Sequence, residues 1–154
     1  MAAVAAVMLV ACRQQTVYYH YEHVPVAGWE KNDTLVFNLP PIADDGRYMQ
    51  ELGVSISSDY PFMGLNLVVE QQNVVTHELR TDTLVCRLVD EQGNAKGRGV
   101  SQFQYLFHLN TLRLRKGELL RVAIRHDMKR EILPGITDIG IRLRHNPTDR
   151  RDTK

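Results

Sequence analysis

The sequence has almost no net charge, because 19 Lys and Arg residues are balanced by 18 Asp and Glu residues. Basic residues do gather between positions 113 and 130, but acidic and apolar residues are interleaved with them. A surface that follows nucleic-acid phosphates needs an excess of positive charge. The charge balance therefore argues against a nucleic-acid partner.

Cysteine is scarce, and the motifs of metal centres and of common enzymes are missing. The chain has two cysteines and six histidines, and no histidine lies in an HxH or HExxH spacing. It contains no GxSxG, P-loop or GxGxxG motif. Asp44 and Asp45 could serve glycoside hydrolysis with a further carboxylate, but an Asp-Asp-Gly sequence is far more typical of a turn. We expect no metal site, no cofactor and no enzymatic activity.

Long apolar runs are missing from the chain beyond residue 11. No later segment approaches the roughly 20 apolar residues that cross a bilayer as a helix. Residues 2–11 are apolar but too short to span a membrane, which is typical of the hydrophobic region of an export signal. No Lys or Arg precedes them, and one explanation is that translation begins upstream of Met1. We interpret residues 1–11 as a signal peptide.

This segment ends in Leu9-Val10-Ala11-Cys12, which resembles the bacterial lipobox. One acyl chain binds a membrane only marginally, whereas two or three hold firmly because each buried CH₂ contributes about 0.8 kcal/mol. We therefore predict that Cys12 is the lipid attachment site and carries palmitate or similar acyl chains. Cys86 lies in an alternating segment, and without a partner we expect it to be buried and reduced.

From residue 16 onward, apolar residues alternate with polar ones, which predicts strands rather than helices. Leu52, Val54 and Ile56 share one face of such a segment. Residues 42–50 are polar and are predicted to be a turn or the start of a connection. The strand-like segments are 16–25, 33–40, 51–59, 63–72, 82–107, 109–128 and 135–145, and the two longest of these each contain a turn.

Two turns have clear local signals. Residues 90–94 end in Gly93 and Asn94, which tolerate the positive φ that the tight turn of a hairpin requires. Gly97 and Gly99 follow at the start of the returning segment and indicate a bulge or a close approach of the backbone. Lys116-Gly117 forms the second turn.

This pattern predicts an all-β fold, an antiparallel β-sandwich resembling a jelly roll, with about eight or nine strands in a single domain. We place the domain at residues 12–145 and expect a flexible polar tail at residues 146–154. Aromatic residues could form a carbohydrate-binding platform on one sandwich face, and Tyr19 and Tyr21 share a face of the first strand. Cross-strand and core packing of these rings is the interpretation we favour.

Three blocks of sequence resemble the gliding-motility lipoprotein GldH family. They are Tyr60–Leu67, then Asp82-Thr83-Leu84 with Leu88-Val89-Asp90, and finally His126–Arg130 leading into Leu133–Ile141. The resemblance implies a lipoprotein of the outer membrane, associated with gliding motility and type IX secretion, with no known enzymatic activity or cofactor. It also implies partners among the proteins of a cell-envelope complex.

Two further expectations concern orientation and partner contact. No acidic residue follows Cys12 until Glu22, and surface-directed relatives tend to carry an acidic cluster there, so we favour a domain that faces the periplasm. Binding sites on sandwiches lie in end loops, although such a loop can also simply close the end of the sandwich. The residues we expect to contact a partner are Tyr60, Pro61, Phe62, Asp127, Met128, Lys129, Arg130 and Asp138.

Overall fold

The computed structural model describes residues 14–147, which form ten β-strands and no helix. No part of this range is therefore a helix able to cross a membrane. The predicted signal peptide, Cys12 and most of the predicted tail lie outside the described residues. The strands are β1 (Gln15–His23), β2 (Trp29–Glu30), β3 (Leu35–Asn38), β4 (Gly46–Ser57), β5 (Gly64–Asn73), β6 (Leu79–Arg87), β7 (Gln102–Leu114), β8 (Leu120–His126), β9 (Ile132–Leu133) and β10 (Ile136–Asn146).

Eight of the strands form two four-stranded antiparallel sheets. The first sheet has the order β1-β10-β4-β7 and the second has the order β3-β8-β5-β6, while β2 and β9 form a short separate ribbon. Among the eight, only β5 and β6 are consecutive in the chain and lie in the same sheet. Every other connection crosses between the sheets, which is the arrangement of a jelly roll. The predicted antiparallel sandwich is confirmed.

The hydrophobic core lies between the two sheets and is built from the inward face of each strand. Leu52, Val54 and Ile56 of β4 are at most 4% exposed, which confirms the face that the alternation predicts. Residues that meet them from the other strands are Leu65, Leu67, Val69, Val122, Ile124, Ile139, Ile141 and Leu143. Cys86 is also buried and free, and burial raises the pKa of its thiol to about 12. It is the buried thiol that the sequence predicts.

The structure corrects the interpretation of residues 42–50. The turn is confined to Asp44-Asp45, and β4 begins directly afterwards at Gly46. Tyr48 is the reason, because its ring is only 1% exposed in the core while its hydroxyl donates a 2.7 Å hydrogen bond to the Asp44 carbonyl. A segment that looks polar in sequence is thus anchored by one aromatic side chain.

Both predicted turns are present, but the strands on either side of each turn pair in different sheets. Asp90 closes the first turn by accepting hydrogen bonds from the backbone of Gln92 and Asn94 at 3.0 and 2.8 Å. The chain then passes from β6 in the second sheet to β7 in the first. Gly117, with a φ of 86°, turns the chain back to β8 in the second sheet. These turns therefore link the two layers.

Three amide side chains lie inside the sandwich among apolar neighbours. Gln50 is fully buried, and neither its amide nitrogen nor its amide oxygen has a hydrogen-bond partner among the described residues. It pairs in register with Asn110, whose side-chain oxygen also lacks a partner in that range. The side-chain oxygen of Gln71, in the second sheet, also has no hydrogen-bond partner among the described residues. A buried polar group without a partner costs roughly 1–3 kcal/mol.

We expect Gln50→Met to increase the free energy of unfolding by about 1–2 kcal/mol, because an apolar side chain of similar shape removes the unsatisfied amide. Chemical denaturation would measure the change. Gln104→Met, on an exposed position of β7, serves as the control and should stay within about 0.5 kcal/mol of the wild type. A loss of stability in Gln50→Met would contradict the expectation.

Candidate functional site

The strand pairing defines two ends of the sandwich. β1 begins at Gln15 opposite His145, so the chain enters the fold at the end formed by loops 39–45, 74–78 and 115–119. We call this the N-terminal end. Loops 58–63 and 127–131 and the turn at residues 90–94 lie at the opposite end, which we call the distal end.

The predicted contact residues of loop 58–63 have mainly a structural role. Tyr60 is half-buried, and its hydroxyl donates a 2.8 Å hydrogen bond to the Gly64 carbonyl. A Cβ atom on Gly135 would come within 2.8 Å of the Tyr60 Cα, so the two backbones are in close contact. Burial raises the pKa of the Tyr60 hydroxyl. Phe62 packs its ring 5.6 Å from that of Tyr60, and Pro61 is the exposed member of the three.

Loop 127–131 is held at its base by a buried histidine. The fully buried His126 accepts a hydrogen bond from the Met128 amide at Nδ1 (3.4 Å) and therefore carries its proton at Nε2. Nε2 lies 3.0 Å from the Trp29 carbonyl, to which it donates. This pair of contacts requires the neutral ring. Burial, assisted by the charge of Lys31, lowers the pKa of His126.

The remaining residues of this loop differ in exposure. Met128 is half-buried, and its sulfur accepts the Asn66 amide at 3.4 Å. Asp127 donates its own amide to the Asn66 carbonyl at 2.8 Å. Lys129 and Arg130 are exposed. The distal end therefore offers two cationic side chains on a loop whose base is fixed.

Asp138 lies apart from these loops, on the outward face of β10. Its carboxylate forms an ion pair with His23 of β1 and accepts a hydrogen bond from the Gln102 side chain at 3.3 Å. The structure therefore brings the two predicted loops to the same end of the sandwich. It places Asp138 on the outer face of the first sheet.

That outer face also carries a charged network that the sequence did not predict. Glu51 of β4 is buried there and accepts hydrogen bonds from Arg142 (2.7 Å) and Arg144 (3.1 Å) of β10. Burial alone would raise the pKa of Glu51, but the hydrogen bonds and charges of the two arginines hold it below its usual value. The three side chains form a network that links neighbouring strands.

Beside this network, two glycines lie opposite each other on β4 and β10. Gly53 pairs with Gly140, and the Tyr21 side chain of β1 extends over both. A Cβ atom on Gly140 would lie 2.6 Å from the Tyr21 ring, and one on Gly53 would collide with the hydroxyl. Two glycines inside strands are the sequence signal of such a close approach, but their register is not visible in the sequence.

The aromatic residues divide between the core and this outer face. Trp29, Tyr48 and Tyr105 are buried, as the packing interpretation predicts. Tyr19 is 51% exposed, and its hydroxyl lies 3.0 Å from that of Tyr21. The Arg142 guanidinium lies 5.5 Å from the centre of the Tyr19 ring, in the geometry of a cation–π contact.

Comparison with known families and structures gives one informative result. A family model described as GldH lipoprotein matches residues 16–143. No individual curated protein matches the sequence. Similar solved structures include the Eiger TNF from S. frugiperda, at 11% identity with a TM-score of 0.32, covering 83% of this chain and 92% of that one. Another is the infectious bursal disease virus Gt strain, at 10% identity with a TM-score of 0.37, covering 90% of this chain and 32% of that one.

The geometry of His126 predicts a pH-dependent stability. Its folded pKa is lowered, so below the unfolded value of about 6.5 the unfolded chain binds a proton that the folded chain resists. The contribution of His126 is therefore complete above about pH 6.5 and is lost as the pH falls through the folded pKa. Urea denaturation between pH 7.5 and 5 should show a falling free energy of unfolding.

Variants at two histidines isolate this effect. His126→Gln keeps a donor for the Trp29 carbonyl and should flatten the pH dependence in this range. His108→Gln, on an exposed position of β7, should leave it unchanged. An unaltered slope in His126→Gln would show that other groups are responsible.

Proposed function

This chain belongs to the GldH lipoprotein family, and we propose that it is a non-catalytic lipoprotein subunit of the outer membrane that acts with the gliding-motility and type IX secretion machinery. The family match carries the proposal, because it covers the whole sandwich from β1 into β10. Membership supports a gliding-associated lipoprotein anchored in the cell envelope. The particular machinery, the outer membrane and the periplasm-facing orientation are our inference.

The spacing between Cys12 and the fold supports direct anchoring. β1 begins at Gln15, so the chain from a lipidated Cys12 to the sandwich can span at most about 10 Å. The N-terminal end would then lie against the membrane. β10 has 11 residues and is about 36 Å long at roughly 3.3 Å per residue, so the distal end would face away from the bilayer.

The charge near the anchor supports a periplasm-facing domain. The residues that follow Cys12 are Arg13, Gln14, Gln15 and Thr16, and the first acidic residue is Glu22. The exposed Lys129 and Arg130 would then lie at the end that faces away from the membrane. We propose the loop that carries them as the contact with a partner protein.

Metabolic labelling with a radioactive fatty acid tests the anchor. We expect Cys12→Ser to lose the label completely and to shift the protein from the membrane fraction to the soluble fraction, because the thiol that carries the acyl chains is gone. Cys86→Ala is the matched control and should keep the label. Label retained by Cys12→Ser would overturn the anchor assignment.

Co-purification from detergent-solubilised membranes tests the partner contact. We expect the wild type to recover other motility or secretion components. Lys129→Ala/Arg130→Ala should lower this recovery at least fivefold, equivalent to about 1 kcal/mol of binding free energy. The control Arg115→Ala/Lys116→Ala removes two cations at the N-terminal end and should bind normally. A wild-type protein recovered alone, or equal losses in the two variants, would contradict the proposal.

A further inference from the structure

The outer face of the first sheet carries an open groove of about 570 Å³. One wall is formed by Tyr19 and Tyr21 of β1, and the opposite wall by residues 96–98, which lie along the outer edge of β7. We call this the outer-face groove. It spans the four strands of the sheet, a width of about 14 Å at roughly 4.8 Å per strand.

The floor of the groove is low because the Tyr21 side chain lies close against two glycines in the middle of the sheet. Gly140 and Gly53 occupy the two central strands at the same level, with Leu106 of β7 next in register. Larger residues at the two glycines would displace the Tyr21 ring, since no space remains for a Cβ atom. The glycines therefore allow the Tyr21 side chain to lie close to the backbone of both central strands.

The charged side chains among the described residues that line the groove are all positive. Lys96, Arg98 and Arg142 contribute three cations, and no Asp or Glu is among the described residues of the lining. Arg142 shares the Glu51 carboxylate with Arg144, so these three side chains together keep one positive charge beside those of Lys96 and Arg98. Charge complementarity therefore calls for an anionic occupant, because carboxylates and phosphates form charge-assisted hydrogen bonds with such cations.

The backbone arrangement disfavours an extended peptide as that occupant. Peptides bind to sheets mainly by adding a strand to a free edge. Within the groove the β7 edge is already occupied, since Arg98 and Gln104 exchange backbone hydrogen bonds of 3.0 and 2.9 Å. A ligand in the groove would therefore contact side chains on the face of the sheet rather than backbone groups at its edge.

The wall of tyrosines suits a sugar ring. The Tyr19 and Tyr21 rings lie 5.3 Å apart and are inclined by 61°, so together they present two aromatic surfaces at an angle. Aromatic rings pack against the C–H face of a pyranose, and the hydroxyl pair and the Gln104 amide add hydrogen-bonding groups beside them. A pyranose with a carboxylate or phosphate group can pack against the aromatic wall and pair with the cations.

We propose that the outer-face groove binds an anionic oligosaccharide, packed against Tyr19 and Tyr21, with its carboxylate or phosphate groups paired to Lys96, Arg98 and Arg142. This activity is independent of the anchor and of the distal loop. It gives the domain a second contact, with an acidic glycan, on its side rather than at its end.

A glycan array probed with the purified full chain in detergent tests the proposal. The array carries oligohexuronates, phosphorylated oligosaccharides and neutral oligosaccharides of the same length. We expect binding to the acidic members only. Calorimetry with the tightest-binding acidic member should show weaker binding as the salt concentration rises from about 50 to about 200 mM, because salt screens the charges. The proposal would be overturned if neutral oligosaccharides bound as strongly as acidic ones, or if no acidic oligosaccharide bound more strongly than the neutral ones.

Three variants locate the site. Lys96→Ala/Arg98→Ala should weaken binding at least tenfold, whereas the matched pair Arg115→Ala/Lys116→Ala at the N-terminal end should not change it. Tyr19→Ala should also lose binding, whereas Tyr19→Phe keeps the ring and should stay within about threefold of the wild type. Thermal melting confirms that each variant is folded.

A peptide control separates the two classes of acidic ligand. Poly-L-glutamate of matched charge should bind at least tenfold more weakly than the acidic sugar. If it binds equally well, the groove recognises charge alone and the glycan assignment is wrong.

Discussion

The placement of β10 between β1 and β4 is the constraint on which the first sheet depends. The last strand in the chain pairs with the first strand on one side and with β4 on the other. Neither pairing can form until most of the chain is present, so the contacts that complete the fold are long-range ones, which form slowly. The Glu51 network reinforces this position, because its arginines belong to β10 and its carboxylate to β4.

Alternation in the sequence was sufficient to predict the eight strands of the two sheets and the buried face of β4, because the alternation of buried and exposed side chains is a local property. It did not predict the two-residue strands β2 and β9. It could not assign strands to sheets. The turns at Gly93 and Gly117 reverse the chain locally, yet the strands they join have partners far away in sequence. Tyr48 illustrates the same limit, since a single core ring extends β4 into a segment that looks polar.

The candidate sites show which residues sequence can find. Loops 58–63 and 127–131 could be predicted as candidate contact loops, because binding residues on sandwiches lie in end loops. Their position at the same end could not, because it depends on the strand pairing. The structural role of Tyr60 could not be predicted, since it depends on the close approach of its backbone to Gly135. The outer-face groove depends on Gly53 and Gly140 being level across two strands. The pairing of β10 with β4 sets that register, and the only sign of it in the sequence is two isolated glycines.

The pairing of Gln15 with His145 puts both ends of the domain on the same side of the sandwich. A reporter fused after β10 would consequently sit beside the proposed lipid attachment point, where a bilayer would limit access. A short epitope inserted at the exposed turn 90–94 would stand at the distal end instead. The choice of fusion site thus decides whether an antibody or a fluorescent label can reach this domain while it is in place.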